Sequence, residues 1–208
     1  MKGNLGLPDL NKIPSTKDQV YTRRLVTEEC RWWKKALDVQ APYRWNLRRL
    51  SPGFTLEIGC GIGRNLIHLN GHGVGIDHNF RSIEIAKLRG LQAFTPEEFE
   101  ETSFRAVDTF DSILLAHVVE HMTESEAARL LARYLHLLKP KGQVILITPQ
   151  EYGYRSDQTH VQFMDFEALR RVVAKLNLIP VKQYSFPFPR FFGRLFKYNE
   201  FVVVGKKM

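Results

Sequence analysis

The chain has 208 residues, 44% of them hydrophobic and 25% charged, with a formal net charge of +8. That length and balance fit one globular domain with a substantial core. No apolar run approaches the roughly 20 residues that span a bilayer, and the N-terminus lacks the apolar stretch of a secretory signal. Two cysteines, Cys30 and Cys60, exclude a disulfide framework, so a reduced, cytoplasmic protein is expected. The excess charge fits an acidic partner such as nucleic acid, an anionic lipid surface or a phosphorylated substrate. A solvated basic surface fits equally, because the charges are scattered in pairs such as Arg48-Arg49 and Arg170-Arg171.

Residues 1–20 are polar and punctuated by Gly, Pro and Asn, and read as a loosely packed arm. Residues 21–50 have helical character and carry Trp32, Trp33 and Trp45, so 1–50 is expected to form an arm and helical cap on a domain over 51–208. From Phe54 the pattern alternates. Strands are predicted at Phe54–Ile58, Gly73–Ile76, Leu91–Phe94, Asp111–Ala116 and Val144–Thr148. Helices are predicted at Asn65–Leu69, Ser82–Leu88, Glu124–Leu138 and Phe166–Leu176. Two last strands, Ile179–Phe186 and Glu200–Val204, flank a Pro- and Phe-rich link. Repeated strand–helix units predict an α/β fold with a mostly parallel sheet covered on both faces, and a ligand at the carboxyl ends of its strands.

The chemistry concentrates first at Glu57-Ile58-Gly59-Cys60-Gly61-Ile62-Gly63. Three glycines between a strand and a helix let backbone approach a ligand without a Cβ in the way. The Gly-x-Gly-x-Gly spacing differs from the dinucleotide pattern, whose third glycine would fall at Arg64. Glu57 ends the strand where a carboxylate can hold a cationic amino group. Asp77 ends the next strand and can accept both hydroxyls of a ribose, or else cap the following helix.

In order and spacing, Leu56–Asn65, Gly75–Asn79, Phe110–Met122 and Leu138–Thr148 resemble the motifs of class I S-adenosylmethionine-dependent methyltransferases. The resemblance implies a Rossmann-like, seven-stranded sheet. It places Gly59, Gly61 and Gly63 along the methionine part of the cofactor, Asp77 with its neighbour His78 at the ribose, and Ala116–His117 behind the sulfonium. Arg31-Trp32-Trp33, Arg44 and Asn46–Leu50 further resemble the entry segment of ubiquinone-pathway O-methyltransferases. In those enzymes the arginine matching Arg44 binds the cofactor carboxylate; a surface ion pair is the alternative.

His117-Val-Val-Glu120-His121 has the form of an inverted zinc-protease motif, but it follows a buried strand instead of lying on a long helix. The ubiquinone-pathway enzymes carry Glu-x-x-Glu-His here, which implies a divalent cation at His117, Glu120 and His121. Two imidazoles suit manganese, iron or zinc better than magnesium. A general base pair and an inert Glu–His pair are the other two readings. Thr159-His160 borders the substrate cleft in the same group, which makes His160 a second candidate base alongside His117 and His121. Its alternative is a packing histidine.

The link after the fifth strand is short where those enzymes carry a long membrane-associated insertion, so a smaller hydroxyl acceptor, a small molecule or saccharide, is expected. Residues 186–196 mix aromatic and basic side chains and suit peripheral membrane contact, substrate cover, a homodimer contact or plain packing. Nucleic acid is the rival acceptor, disfavoured by the lack of a separate binding domain. A non-catalytic cofactor-binding module is the second alternative.

Overall fold

A computed structural model describes residues 38–208. The predicted arm, Cys30 and the Arg31-Trp32-Trp33 segment lie outside the described residues. The described chain opens with α1 (Ala41–Arg48) and then alternates: β1 (Thr55–Ile58), α2 (Arg64–His68), β2 (Gly73–Ile76), α3 (Phe80–Leu88), β3 (Ala93–Phe94), α4 (Pro96–Glu100), β4 (Phe110–Ala116), α5 (Glu124–Tyr134), β5 (Leu138–Pro149), α6 (Glu151–Arg155), α7 (Phe166–Lys175), β6 (Ile179–Phe186) and β7 (Glu200–Lys206). The seven strands form one sheet in the order β3-β2-β1-β4-β5-β7-β6. Strands β1 to β5 pair in parallel, whereas β7 runs antiparallel to both β5 and β6.

The period-2 geometry of a strand explains why its centre reads as an unbroken apolar run. In β4, Ile113 and Leu115 pack into one core while Leu114 packs into the other. In β5 the same split sends Val144 and Leu146 one way, Ile145 and Ile147 the other. Helices α5 and α7 cover the first face through Ala127, Leu131, Leu169 and Val172. Helix α1 helps cover the second, burying Leu47 beside Leu50, so this part of the expected cap belongs to a covering layer of the sheet.

Three boundaries differ from the sequence pattern. The predicted helix to Leu138 ends at Tyr134 and tightens into a 3-10 turn over Leu135–Leu137. Leu138 then enters β5 early because it pairs with Phe110, and the ladder breaks register before Gln143 takes up Ser112. The third strand shrinks to two residues, and two short helices, α4 and α6, stand where links were expected.

The turn from β1 into α2 is where glycine is indispensable. Gly63 sits at the helix N-cap with φ +82°, and a Cβ there would stand 2.2 Å from Leu91 Cδ1. Gly63→Ala should therefore cost about 1–3 kcal/mol, as strained backbone does. Urea unfolding reads this as a lower midpoint. An unchanged midpoint would contradict the assignment.

Candidate active site

The parallel strands deliver their carboxyl ends to one edge, and polar residues gather there. Glu57 is the penultimate residue of β1 and is buried. Its Oε1 accepts a 2.7 Å hydrogen bond from Asn65 Nδ2 on α2, while Oε2 has no hydrogen-bond partner. Burial pushes this carboxyl up to about 8, against the smaller opposing pulls of Asn65 and the Arg64 guanidinium. An orphaned, buried carboxylate oxygen costs free energy unless a cationic or donor group reaches it. The ammonium of S-adenosylmethionine is such a group, so the donor set at the end of β1 fits that cofactor.

The glycine loop follows directly. Gly59, Gly61 and Gly63 all have positive φ, at +75°, +53° and +82°. Gly59 lies so close to the segment after β4 that a Cβ would meet Val118 Cγ2 at 2.4 Å. The loop is held open by Asp77, whose Oδ2 accepts from the Gly61 amide and Oδ1 from the Asn79 amide, both at 2.8 Å. Helix capping falls to Asn79, whose side chain accepts from Arg81 and Ser82. Asp77 is thus free of that alternative duty, and each of its oxygens keeps further acceptor capacity at the site. His78 Nδ1 lies 3.9 Å from Asp77 Oδ1. Cys60, inside the loop, is buried and its thiol is pushed up, so it contributes packing and no nucleophile.

Arg44 on α1 makes a 2.6 Å ion pair with Asp38. This is the surface pairing set out above as its alternative. Of the acidic stretch after β3, Thr95 and Glu98 form the capping box of α4, and Glu98 also pairs with Lys87.

Beyond Ala116, the last residue of β4, His117 adopts φ +60°. Its Nε2 donates to Glu200 Oε1 at 2.9 Å, and its Nδ1 lies 3.4 Å from Glu120 Oε1. Burial opposes charge on this ring, but the carboxylates of Glu120 and Glu200 outweigh it and lift His117 to about 9. At neutral pH His117 is therefore an imidazolium, its Nε2 bonded to Glu200 and its Nδ1 facing Glu120. It holds no lone pair for a proton or a metal.

The next two imidazoles are arranged differently. His121 Nδ1 lies 3.1 Å from the Thr159 carbonyl, and His160 Nδ1 lies 2.6 Å from the Tyr154 carbonyl. A carbonyl only accepts, so both Nδ1 atoms carry hydrogen and both lone pairs sit on Nε2. The Thr159 hydroxyl donates to Asp157, which removes it as a competing donor to His121. The two rings meet edge to face at 4.9 Å, and Tyr154 stacks on His160. Burial lowers the pKa of His121 and keeps it neutral. Among the described residues, Glu120, His121 and His160 each offer a ligand atom within 4.8 Å of the others. Of the expected set of His117, Glu120 and His121, the last two thus cluster with His160, which the loop before α7 brings in, while His117 bonds Glu200 through Nε2 and faces Glu120 through Nδ1. Glu200 itself carries no local motif; only the antiparallel β7 brings it across the sheet to β4.

Two outcomes follow from these geometries. A carboxyl held near 8 is mostly protonated in the folded chain at neutral pH and ionises while buried as the pH rises, so its stability contribution is lost between about pH 4.5 and 8. Thermal unfolding of ligand-free Glu57→Gln should therefore gain on the parent as pH rises to 9, and S-adenosylhomocysteine binding should weaken about tenfold. Asp77→Ala, which frees two loop amides, should lower both stability and cofactor affinity. Binding of either variant at parental strength would contradict the site.

With this geometry in place, comparison with known proteins gives a consistent result. A family model described as "Methyltransferase domain" matches residues 33–183. An uncharacterized methyltransferase of Bacillus cytotoxicus is 32% identical over 96 residues, 45% of each chain. The ubiquinone biosynthesis O-methyltransferase of Salmonella paratyphi A is 25% identical over 141 residues, 59% of this chain and 57% of that one. The chain therefore spans about half the length of these curated relatives. A crystal structure of a SAM-dependent methyltransferase from Archaeoglobus fulgidus shares the fold with a TM-score of 0.66 at 19% identity, covering 91% of this chain and 100% of that one. Among the described residues no helix is long and apolar enough to cross a membrane. By its sheet order, its glycine loop and this family match, the chain belongs to the methyltransferase-domain family and has the class I S-adenosylmethionine-dependent methyltransferase fold.

Proposed function

We propose that the protein transfers a methyl group to a hydroxyl oxygen of a small polar acceptor, a saccharide or other small molecule. The observation that carries this is the pair of Nε2 lone pairs on His121 and His160, set beside buried Glu120 where β4 ends against the glycine loop. An amine attacks a methyl group in its neutral form without help. A hydroxyl is a poor nucleophile while protonated and needs a group to take its proton. The name of the Salmonella relative, an O-methyltransferase, supports the same class of acceptor atom.

When bound, S-adenosylmethionine supplies a methyl group on a sulfonium, open to in-line displacement. Glu57 holds the ammonium end, Asp77 the ribose, and the glycines let the backbone lie against the ligand. His160 or His121 accepts the acceptor's proton at Nε2, its ring held in that tautomer by the carbonyl behind it. His117, charged and clamped between Glu120 and Glu200, fixes the floor of the acceptor side.

A second reading is favoured by the donor set itself. Glu120, His121 and His160 would hold a divalent cation, and both Glu120 oxygens are buried without a hydrogen bond. Such a cation lowers the pKa of a coordinated hydroxyl, and two imidazoles with one carboxylate suit manganese, iron or zinc.

Under either reading, His160→Ala and His121→Ala should lower kcat by about 10²–10⁴-fold while leaving S-adenosylhomocysteine affinity within about threefold. Turnover of a panel of saccharide, phenolic and amine acceptors measures this. Loss of activity on chelation, restored by manganese or zinc, selects the cation; activity that survives chelation selects the base. Undiminished turnover in both variants, or methylation confined to amines, would overturn the proposal.

A further inference from the structure

We propose that the segment joining β6 to β7, residues 187–199, docks the protein on an anionic lipid surface. This inference stands independently of the acceptor chemistry above. Within thirteen residues the segment turns four large apolar side chains outward: Phe188 is 43% exposed, Phe191 66%, Leu195 72% and Tyr198 51%. Isolated exposed apolar residues are ordinary, but four on one short turn form a patch.

The patch is built on a rigid frame. Asn199 is buried; its Nδ2 donates to Gln150 Oε1 and to Ser185 Oγ at 3.0 Å, and its Oδ1 accepts from the Phe188 amide at 2.9 Å. Tyr43 on α1 donates its hydroxyl to the Tyr198 carbonyl, and Arg190 forms a paired ion bond with Glu151 on α6. Gly193 presses so closely on Gln150 that no Cβ fits there. Phe192 and Phe196 pack behind Phe188 at 5.2 and 5.1 Å. The inner rings thus hold the outer ones in water, at a cost that burial elsewhere would relieve.

Charge indicates what covers them. From Pro187 to Asn199 the segment contains no acidic residue but carries Arg190, Arg194 and Lys197. Arg190 is spent on Glu151, whereas among the described residues no carboxylate pairs with Arg194 or Lys197. Aromatic side chains interleaved with unpaired cations on a protruding turn, in a chain of net charge +8, match an anionic bilayer interface. The rings reach the acyl boundary while the basic heads stay at the phosphates. The segment stops one residue before Glu200, the partner of His117.

Co-sedimentation of the full chain with vesicles tests this. Binding is expected to vesicles containing phosphatidylglycerol, to fall with added salt, and to be weak on phosphatidylcholine alone. Phe191→Ser/Leu195→Ser should weaken it at least about tenfold, and Arg194→Gln/Lys197→Gln should remove most of the salt dependence. Unchanged circular dichroism and S-adenosylhomocysteine binding would show that the variants fold. No binding to anionic vesicles, or equal binding by folded variants, would overturn the proposal. So would light scattering in which the Phe191/Leu195 variant converts a dimer to a monomer while vesicle binding persists, since the patch would then be a contact between copies.

Discussion

One carboxylate oxygen, Glu57 Oε2, sits in the centre of the protein's strand edge with nothing to bond. Folding tolerates it because the carboxyl is pushed up to about 8 and is largely neutral in the ligand-free chain. The arrangement around it follows from that constraint. Asn65 opens α2 and reaches back to the other oxygen. The glycines bend the chain so that this helix starts within reach. Asp77 takes the Gly61 amide and so fixes the loop's far side. The result is a strand edge that presents one unsatisfied carboxyl oxygen beside the glycine loop.

The acceptor side is organised by the opposite device, a charge that is over-satisfied. His117 is held protonated by two carboxylates in a left-handed backbone conformation, which costs strain and is kept only because the surroundings fix it. Beside it, His121 and His160 each turn Nδ1 to a backbone carbonyl and keep Nε2 as the acceptor nitrogen of that tautomer.

Much of this was legible in the residues themselves. Strands buried on both faces show as runs such as Ser112–Ala116, and the glycine spacing with Glu57 and Asp77 marks a ligand-binding strand edge. Short elements were harder. Helix α4 announces itself by Thr95-Pro96-Glu97-Glu98, a capping box with proline at the first turn, yet five residues are too few for periodicity. Early entry of Leu138 into β5 depends on its partner Phe110, which local pattern does not show. The site failed to read where it depends on distant chain. His160 joins His121 across about forty residues, and Glu200 reaches His117 only because β7 reverses direction in the sheet. Spacing within 117–121 therefore suggested a self-contained triad, while tertiary pairing divided it.

The most direct test of the central claim is the proton balance of cofactor binding. Calorimetry of S-adenosylhomocysteine at pH 7 in buffers of different ionisation enthalpy reports protons exchanged on binding. If Glu57 is neutral when free and ionised against the ammonium, the parent chain releases more protons than Glu57→Gln. The same proton exchange in both proteins would contradict the account.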